Sequence, residues 1–293
     1  MKKTQVLFLA FGPRLDLYAQ IYFALRSIQR WDVSSVNFVI LTDKPNFFKR
    51  VHNDVDIIEL SEETLRAWRG KHNFLWRIKM KAIEHVAISY SGDHILYFDS
   101  DTIVAKDMQS LISELDNDRV IMHTFEKIIA KSKYKRDMRL TKHLRSFKFL
   151  NYVFDKSTEM YNAGVIGLPA NSAQTLAKEA ISLCDALCET NANKTFLEQL
   201  AFSMVLGSTN RLIGVEDKVI HYWGNKEQWD SHINSFIQKS LFQNLDKNAE
   251  IELIKALDYT KIPIYIRIQA SNRRLKKYVD KLFSKQEIMF FKQ

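Results

Sequence analysis

Eight glycines and four prolines in 293 residues leave no room for a glycine-rich linker, a proline-rich stalk or a collagen-like array. No segment repeats at a solenoid period, so one compact body with a C-terminal appendage is expected. Cysteine is nearly absent too. Cys184 and Cys188 lie four apart in a stretch that reads as a helix, where a disulfide is awkward, and no nearby histidine or further cysteine completes a zinc site. They read as packing residues in a reducing compartment. No apolar run reaches membrane-spanning length. The run from Val6 to Phe11 is cut by Pro13, Arg14 and Asp16, too soon for a secretory signal, and no small-residue cleavage site follows. A cytoplasmic location is therefore expected. Also missing are the glycine patterns of the P-loop and of the dinucleotide fold, so any phosphate must be held by other means.

What is present is a core. A hydrophobic content of 46%, with 12% aromatic residues, suits one large α/β domain. The net charge of +9 is concentrated in two stretches. Residues 127–148 carry nine Lys or Arg against one acid, and residues 261–293 nine against two, which leaves the rest mildly acidic. Two local basic stretches suit an anionic surface, such as lipid headgroups or a lipid diphosphate, better than nucleic acid. Solvated helix faces would look the same.

Along the chain, residues 5–11 read as a buried strand, then a turn at Gly12-Pro13 and a helix from Asp16 to about Trp31. Strands follow at 37–41 and 55–60, a helix at 76–88, and a strand at 94–98 that runs into Asp99. Alternating strands and helices with short connections predict a Rossmann-like, mostly parallel central sheet flanked by helices. Ligands of such sheets gather beyond the carboxyl ends of the strands. Asp99 and Asp101 fall there, one residue apart after four apolar residues. Two such like charges repel unless a cation lies between them, and hard carboxylate oxygens favour Mg2+ or Mn2+. Capping of the turn and of a helix near Asp107 is the ordinary alternative. A haloacid-dehalogenase-like phosphohydrolase would use Asp99 as its nucleophile, but its glycine-threonine pair is missing here, where Thr102-Ile103 follows. A non-catalytic protein that binds anionic surfaces is the third reading.

Three later stretches follow in order: Tyr161-Asn162-Ala163-Gly164-Val165-Ile166-Gly167, with an exposed amide at its head; Phe196-Leu197-Glu198-Gln199-Leu200-Ala201-Phe202; and His221-Tyr222-Trp223-Gly224-Asn225-Lys226. With Asp99-Ser100-Asp101 before them, residues 4–230 resemble the GT-A-fold glycosyltransferases, most closely family 8 of the bacterial lipopolysaccharide and capsule type. The resemblance implies a catalytic domain over 1–235 and a basic helical extension over 236–293. It implies a nucleoside-diphosphate sugar donor, most simply a UDP-sugar, a glycan or lipid-linked acceptor, a divalent Mn2+ or Mg2+, and transfer of a hexose with retention.

By the same resemblance, Asp99, Asp101 and His221 match the metal ligands. Ser100 lies between the two aspartates at the donor, and Gly224 and Lys226 match the contacts to its phosphates. Arg77 looks like the donor-contacting arginine. Asn162 and Ala163 lie beside the sugar, and Glu198 with Gln199 take the place of an Asp-Gln pair near the anomeric centre. Asn162, Glu198 and Gln199 are thus the expected catalytic residues, while Ala10 and Phe11 fall at the base and ribose. Glu198 departs from the family's aspartate by one methylene, and a single residue, Asn225, separates Gly224 from Lys226 where the family usually has two. Ordinary readings stand beside these: a capping box from Thr195 to Glu198, a core histidine at 221, a solvated helix face at Arg77 and Lys79, and a tight turn at Asn162 to Gly164.

From Asn272 on, Leu275, Val279, Leu282 and Phe283 recur at helical spacing among Arg273, Arg274, Lys276, Lys277 and Lys281. Such a helix suits a membrane interface, with Met289, Phe290 and Phe291 adding apolar contact, or packing on the body of the protein.

Overall fold

The computed structural model describes residues 2–31, 33–266 and 270–283. Its centre is a seven-stranded sheet in the order β10-β6-β9-β4-β1-β2-β3. The strands are β1 (Thr4–Ala10), β2 (Val36–Thr42), β3 (Asp56–Glu59), β4 (His94–Phe98), β6 (Val120–Ile128), β9 (Glu159–Leu168) and β10 (Leu212–Gly214). Six run parallel. β9 alone runs against its neighbours β4 and β6, so the sheet is mostly parallel, as the alternation of elements predicts. β5 (Thr102–Val104) pairs with β11 (Val219–His221) as a short antiparallel ribbon, and β7 (Lys148–Phe149) with β8 (Tyr152–Val153) as a hairpin.

Apolar side chains alternate through the strands and so point to both faces. Leu7, Val39 and Leu41 face one core with the helices α2 (Glu62–Trp68), α3 (Arg77–Ser89), α6 (Ala173–Cys188) and α7 (Leu197–Gly207). Val6, Phe8 and Ile40 face the other, with α1 (Leu15–Gln29), α4 (Met108–Asp116), α8 (Lys226–Phe242) and α9 (Lys247–Lys255). α5 (Lys135–Leu144) follows β6 and carries the first basic stretch. Cys184 and Cys188 are free and buried in α6, as their spacing implies.

Three local readings change. Asp107, not Asp99 or Asp101, caps α4 by accepting from the amide of Gln109. No Thr195–Glu198 capping box forms: Thr195 donates to Asn193, and Glu198 turns inward to Lys79. Asn162 to Gly164 is not a turn but the middle of β9, and Asn162 is buried instead of exposed.

The boundary expected at 235/236 falls inside α8, which passes through it unbroken. Beyond it, Glu250 of α9 is fully buried and accepts from the Tyr22 hydroxyl at 2.8 Å and from Arg26 Nε at 2.7 Å on α1. α10 (Ala270–Leu282) is different. Leu275, Tyr278, Leu282 and Phe283 are each about two-thirds exposed, so its apolar stripe is not packed on the body. Met289, Phe290 and Phe291 lie outside the described residues.

Candidate metal and donor site

The carboxyl ends of β1, β2 and β4 lie on one edge of the sheet, and the loop after β4 carries Asp99 and Asp101. Two bonds to backbone carbonyls fix that loop: the Asp99 amide donates to Gly164 O at 2.8 Å, and the Thr102 hydroxyl to Asp99 O at 2.8 Å. In the β5–β11 ribbon His221 lies opposite Thr102, and the Tyr222 amide donates to Asp101 O, so the imidazole arrives beside the second aspartate. Ligand atoms of Asp99, Asp101 and His221 all lie within 4.8 Å of one another.

The imidazole has one defined tautomer. Asn162 Oδ1 accepts from the Gly164 amide at 2.9 Å, and Asn162 Nδ2 donates to Glu126 at 3.2 Å, which fixes the amide's orientation. Oδ1 can then only accept from His221 Nδ1, 2.9 Å away, so Nδ1 carries the proton. His221 Nε2 faces Asp101 Oδ1 at 3.3 Å. A lone pair against a carboxylate oxygen is repulsive, so Nε2 needs a second proton or a shared cation between the two. Gly164 makes room for the ring, since a Cβ there would overlap its Cε1 and Nδ1. Two hard carboxylates and an imidazole held by an outer amide are a donor set that fits Mg2+ or Mn2+.

Two lysines supply the positive charge of the site. Lys226, the first residue of α8, places Nζ 2.7 Å from Asp101 Oδ2. Burial would raise the Asp101 pKa, but the bond from His221 and the charge of Lys226 outweigh it and hold the carboxyl well below the usual carboxylate range. Lys79 is buried. Its Nζ donates to Ala163 O at 2.6 Å and lies 3.2 Å from Asp99 Oδ1 and 3.0 Å from Glu198 Oε1, with the Tyr97 ring 4.8 Å away. Tyr97 donates to the same Asp99 oxygen at 2.7 Å. Burial would lower the Lys79 pKa, but its two carboxylates outweigh that and raise it. The pairing of β6 with β9 shifts register between Met122 and Thr124, opposite the stretch from Asn162 to Ile166 that supplies the Ala163 and Gly164 carbonyls.

The structure thus brings together Asp99, Asp101, Asn162, Ala163, Glu198, His221 and Lys226. Gln199 is buried on α7, and its Nε2 has no partner among the described residues. It borders a small crevice of about 20 Å³ lined also by Glu126, Arg136, Met160 and Phe196, which adjoins the cluster through the Asn162–Glu126 bond. Ser100 donates to Gln20, which bonds Asp230 of α8. Ala10 is buried at the end of β1 and Phe11 half-buried beyond it, beside a turn where Gly12 at φ +95° donates to Asp43.

Arg77 stands apart from this cluster. Its guanidinium grips Asp185 of α6 at 2.7 and 2.9 Å and the Trp68 carbonyl at 3.0 Å. Residues two apart on a helix point in different directions, and Lys79 is the one that meets Asp99. Gly224 is covered by the Tyr265 ring, which a Cβ would overlap. Sequence reasoning passed over Lys79 except as a solvated face, and passed over His123 entirely. The His123 ring meets His221 edge-on at 5.2 Å, and burial, with His221 adding to it, pushes its pKa down to about 4.

No known family model matches the sequence, and no curated protein matches it. Solved structures do. The mouse xyloside xylosyltransferase 1 apo form aligns over 73% of this chain and 85% of its own, at 10% identity and a TM-score of 0.47. The WbbM bifunctional glycosyltransferase aligns over 73% and 39%, at 14% identity and 0.49. The glycosyltransferase GlyE of Streptococcus pneumoniae TIGR4 aligns over 98% and 67%, at 15% identity and 0.46. Among the described residues no helix is long and apolar enough to cross a membrane.

Proposed function

We propose that this chain is a metal-dependent glycosyltransferase of the GT-A type, most like family 8, that moves a hexose from a nucleoside-diphosphate sugar to a hydroxyl of a glycan or glycolipid. The observation that carries the reading is the convergence of Asp99, Asp101 and Nε2 of His221 at the carboxyl edge of the sheet.

Asp99, Asp101 and His221 would hold Mn2+ or Mg2+, which supplies positive charge against the leaving diphosphate. Asp99 has one oxygen committed to Lys79 and Tyr97, so the other is the oxygen available to a cation. Lys226 is one-third exposed and rests on Asp101. Diphosphate oxygens compete for its ammonium, and charge on the leaving group then has a cation beside it. Glu198, held by Lys79, and Asn162, held by His221, are the polar groups nearest the cluster for sugar hydroxyls. Burial, with Asp99 nearby, raises the Glu198 pKa, and Lys79 opposes it. The unpartnered amide of Gln199 borders the crevice beside Asn162 and Glu126, where it is free to meet a sugar or acceptor hydroxyl.

A UDP-sugar donor, retention, a role in lipopolysaccharide or capsule assembly, and a cytoplasmic site with peripheral membrane contact through residues 127–148 and 261–293 complete the proposal. The test is release of nucleoside diphosphate from a panel of UDP-, GDP- and dTDP-sugars, with Mn2+ or with EDTA. Release that needs the metal and vanishes in Asp101→Ala is the expected result. Full activity in that variant would refute the metal assignment.

A further inference from the structure

The turn between His221 and Lys226 carries two aromatic residues with opposite surroundings. Tyr222 is buried and stacks on Trp229 with ring centroids 4.9 Å apart, whereas Trp223 is 53% exposed. The chain after α9 returns to this turn. The Pro263 carbonyl accepts from Asn225 Nδ2 at 2.6 Å and from Trp229 Nε1 at 3.1 Å. Tyr265 pairs with Gly224 in a parallel bridge, and the Ile266 amide donates to Gly224 O at 3.3 Å. The Tyr265 ring then lies over Gly224, in space that a Cβ would fill, with its centroid 5.1 Å from that of Trp223. Glycine at 224 is thus what lets the second ring sit beside the first.

Tyr265 is as exposed as Trp223, and the two rings meet at 52° instead of stacking flat, so each keeps an open face. Neither the indole N–H nor the phenol O–H has a hydrogen-bond partner among the described residues. No charged residue occurs from Ile262 to Ile266. Open aromatic faces with polar edges and no charge suit a pyranose ring. Its C–H groups rest on the negative π faces, and its hydroxyls meet the N–H and O–H at the edges. The position fits as well. Trp223 is two residues from His221, a backbone span of at most about 7 Å. It is three residues from Lys226, whose ammonium lies 2.7 Å from Asp101. The pair of rings therefore borders the metal cluster beside the start of α8.

We propose that Trp223 and Tyr265 form an aromatic platform that binds a neutral pyranose unit of the acceptor glycan next to the metal site. Sugar binding on the platform does not depend on the reaction. Its assignment to the acceptor rests on the glycosyltransferase reading.

The experiment is saturation-transfer NMR on the full chain, with UDP and Mn2+ present, using the methyl glycosides of glucose, galactose and N-acetylglucosamine as probes. Wild type transfers saturation to the C–H protons on one face of at least one glycoside. Trp223→Leu and Tyr265→Leu keep an apolar side chain but lose the π face, and each weakens binding of that glycoside by about fivefold. Trp223→Phe restores most of the loss, whereas a ring that only fills space would be replaced as well by leucine as by phenylalanine. No transfer to any of the three glycosides overturns the platform, and so does equal binding by either leucine variant. A loss confined to UDP affinity assigns the rings to the nucleotide and overturns it too. If glycoside binding depends on the rings but UDP and Mn2+ bind to none of the proteins, each folded by circular dichroism, the sugar platform stands and the glycosyltransferase reading fails.

Discussion

Replacing Lys79 by methionine removes the one ammonium that joins Asp99, Glu198 and the Ala163 carbonyl. The lysine side chain is 6% exposed and Glu198 9%, so water does not replace the missing partner. Breaking a buried ion pair from one side costs about 3–5 kcal/mol, because the remaining carboxylate stays buried without compensation. At this chain length that corresponds to a fall of about 6–10 °C in melting temperature. Much of the cost is the stranded charge on Glu198, so Glu198→Gln should recover part of it. The double variant is therefore expected to be more stable than the sum of the single effects, by about 1–3 kcal/mol of coupling. Differential scanning calorimetry of the four proteins, without metal, measures the cycle. A fall of less than about 2 °C in Lys79→Met, or strictly additive effects, would show that Lys79 does not hold the two carboxylates together.

Gly164→Ala puts a methyl group into the His221 ring and costs about 1–3 kcal/mol in overpacking; Mn2+ titration should show weakened binding with a folded chain, and unchanged affinity would contradict the histidine's role. Glu250→Gln leaves buried Arg26 with Asp54, at 3.6 Å, as its remaining carboxylate, so the melting temperature should drop by an amount equivalent to about 3 kcal/mol, and a chain ended after residue 235 should not fold. Asp137 is buried on α5. Burial would raise its pKa, but bonds from Lys127, Ser132 and Arg136 outweigh that and lower it. Its stabilisation is thus complete above the ordinary carboxylate value of about 4 and is lost as pH falls through the lower folded value. The melting curve of Asp137→Asn should be flatter between about pH 5 and pH 3 than that of wild type, and parallel curves would exclude this contribution.

The parallel sheet and the placing of Asp99 and Asp101 were legible because both are local. Apolar runs make buried strands, and a pair of acids at a strand's exit lands at the carboxyl edge wherever the sheet order puts it. The strand at 94–98 and the one-residue spacing of the acids needed no partner to be seen. Lys79 was not legible. A lysine between Ile78 and Met80 reads as a helix face until β9 supplies the Ala163 carbonyl and α7 supplies Glu198, neighbours that only the tertiary structure brings to it. For the same reason Arg77, the stronger candidate by type, went to Asp185. The boundary at 235/236 rested on how far the family resemblance extends. Glu250, an ordinary helical glutamate in sequence, closes onto Arg26 across more than two hundred residues and ties α9 to the body.

Calorimetric titration of UDP into the protein, with and without Mn2+, and into Asp101→Asn and His221→Leu, bears most directly on the central claim that two acids and one imidazole hold a cation for a diphosphate. Binding of either ligand should tighten the other by the same factor, and that coupling should be gone in both variants. UDP that binds equally well without metal, or variants that bind Mn2+ as well as wild type does, would contradict it.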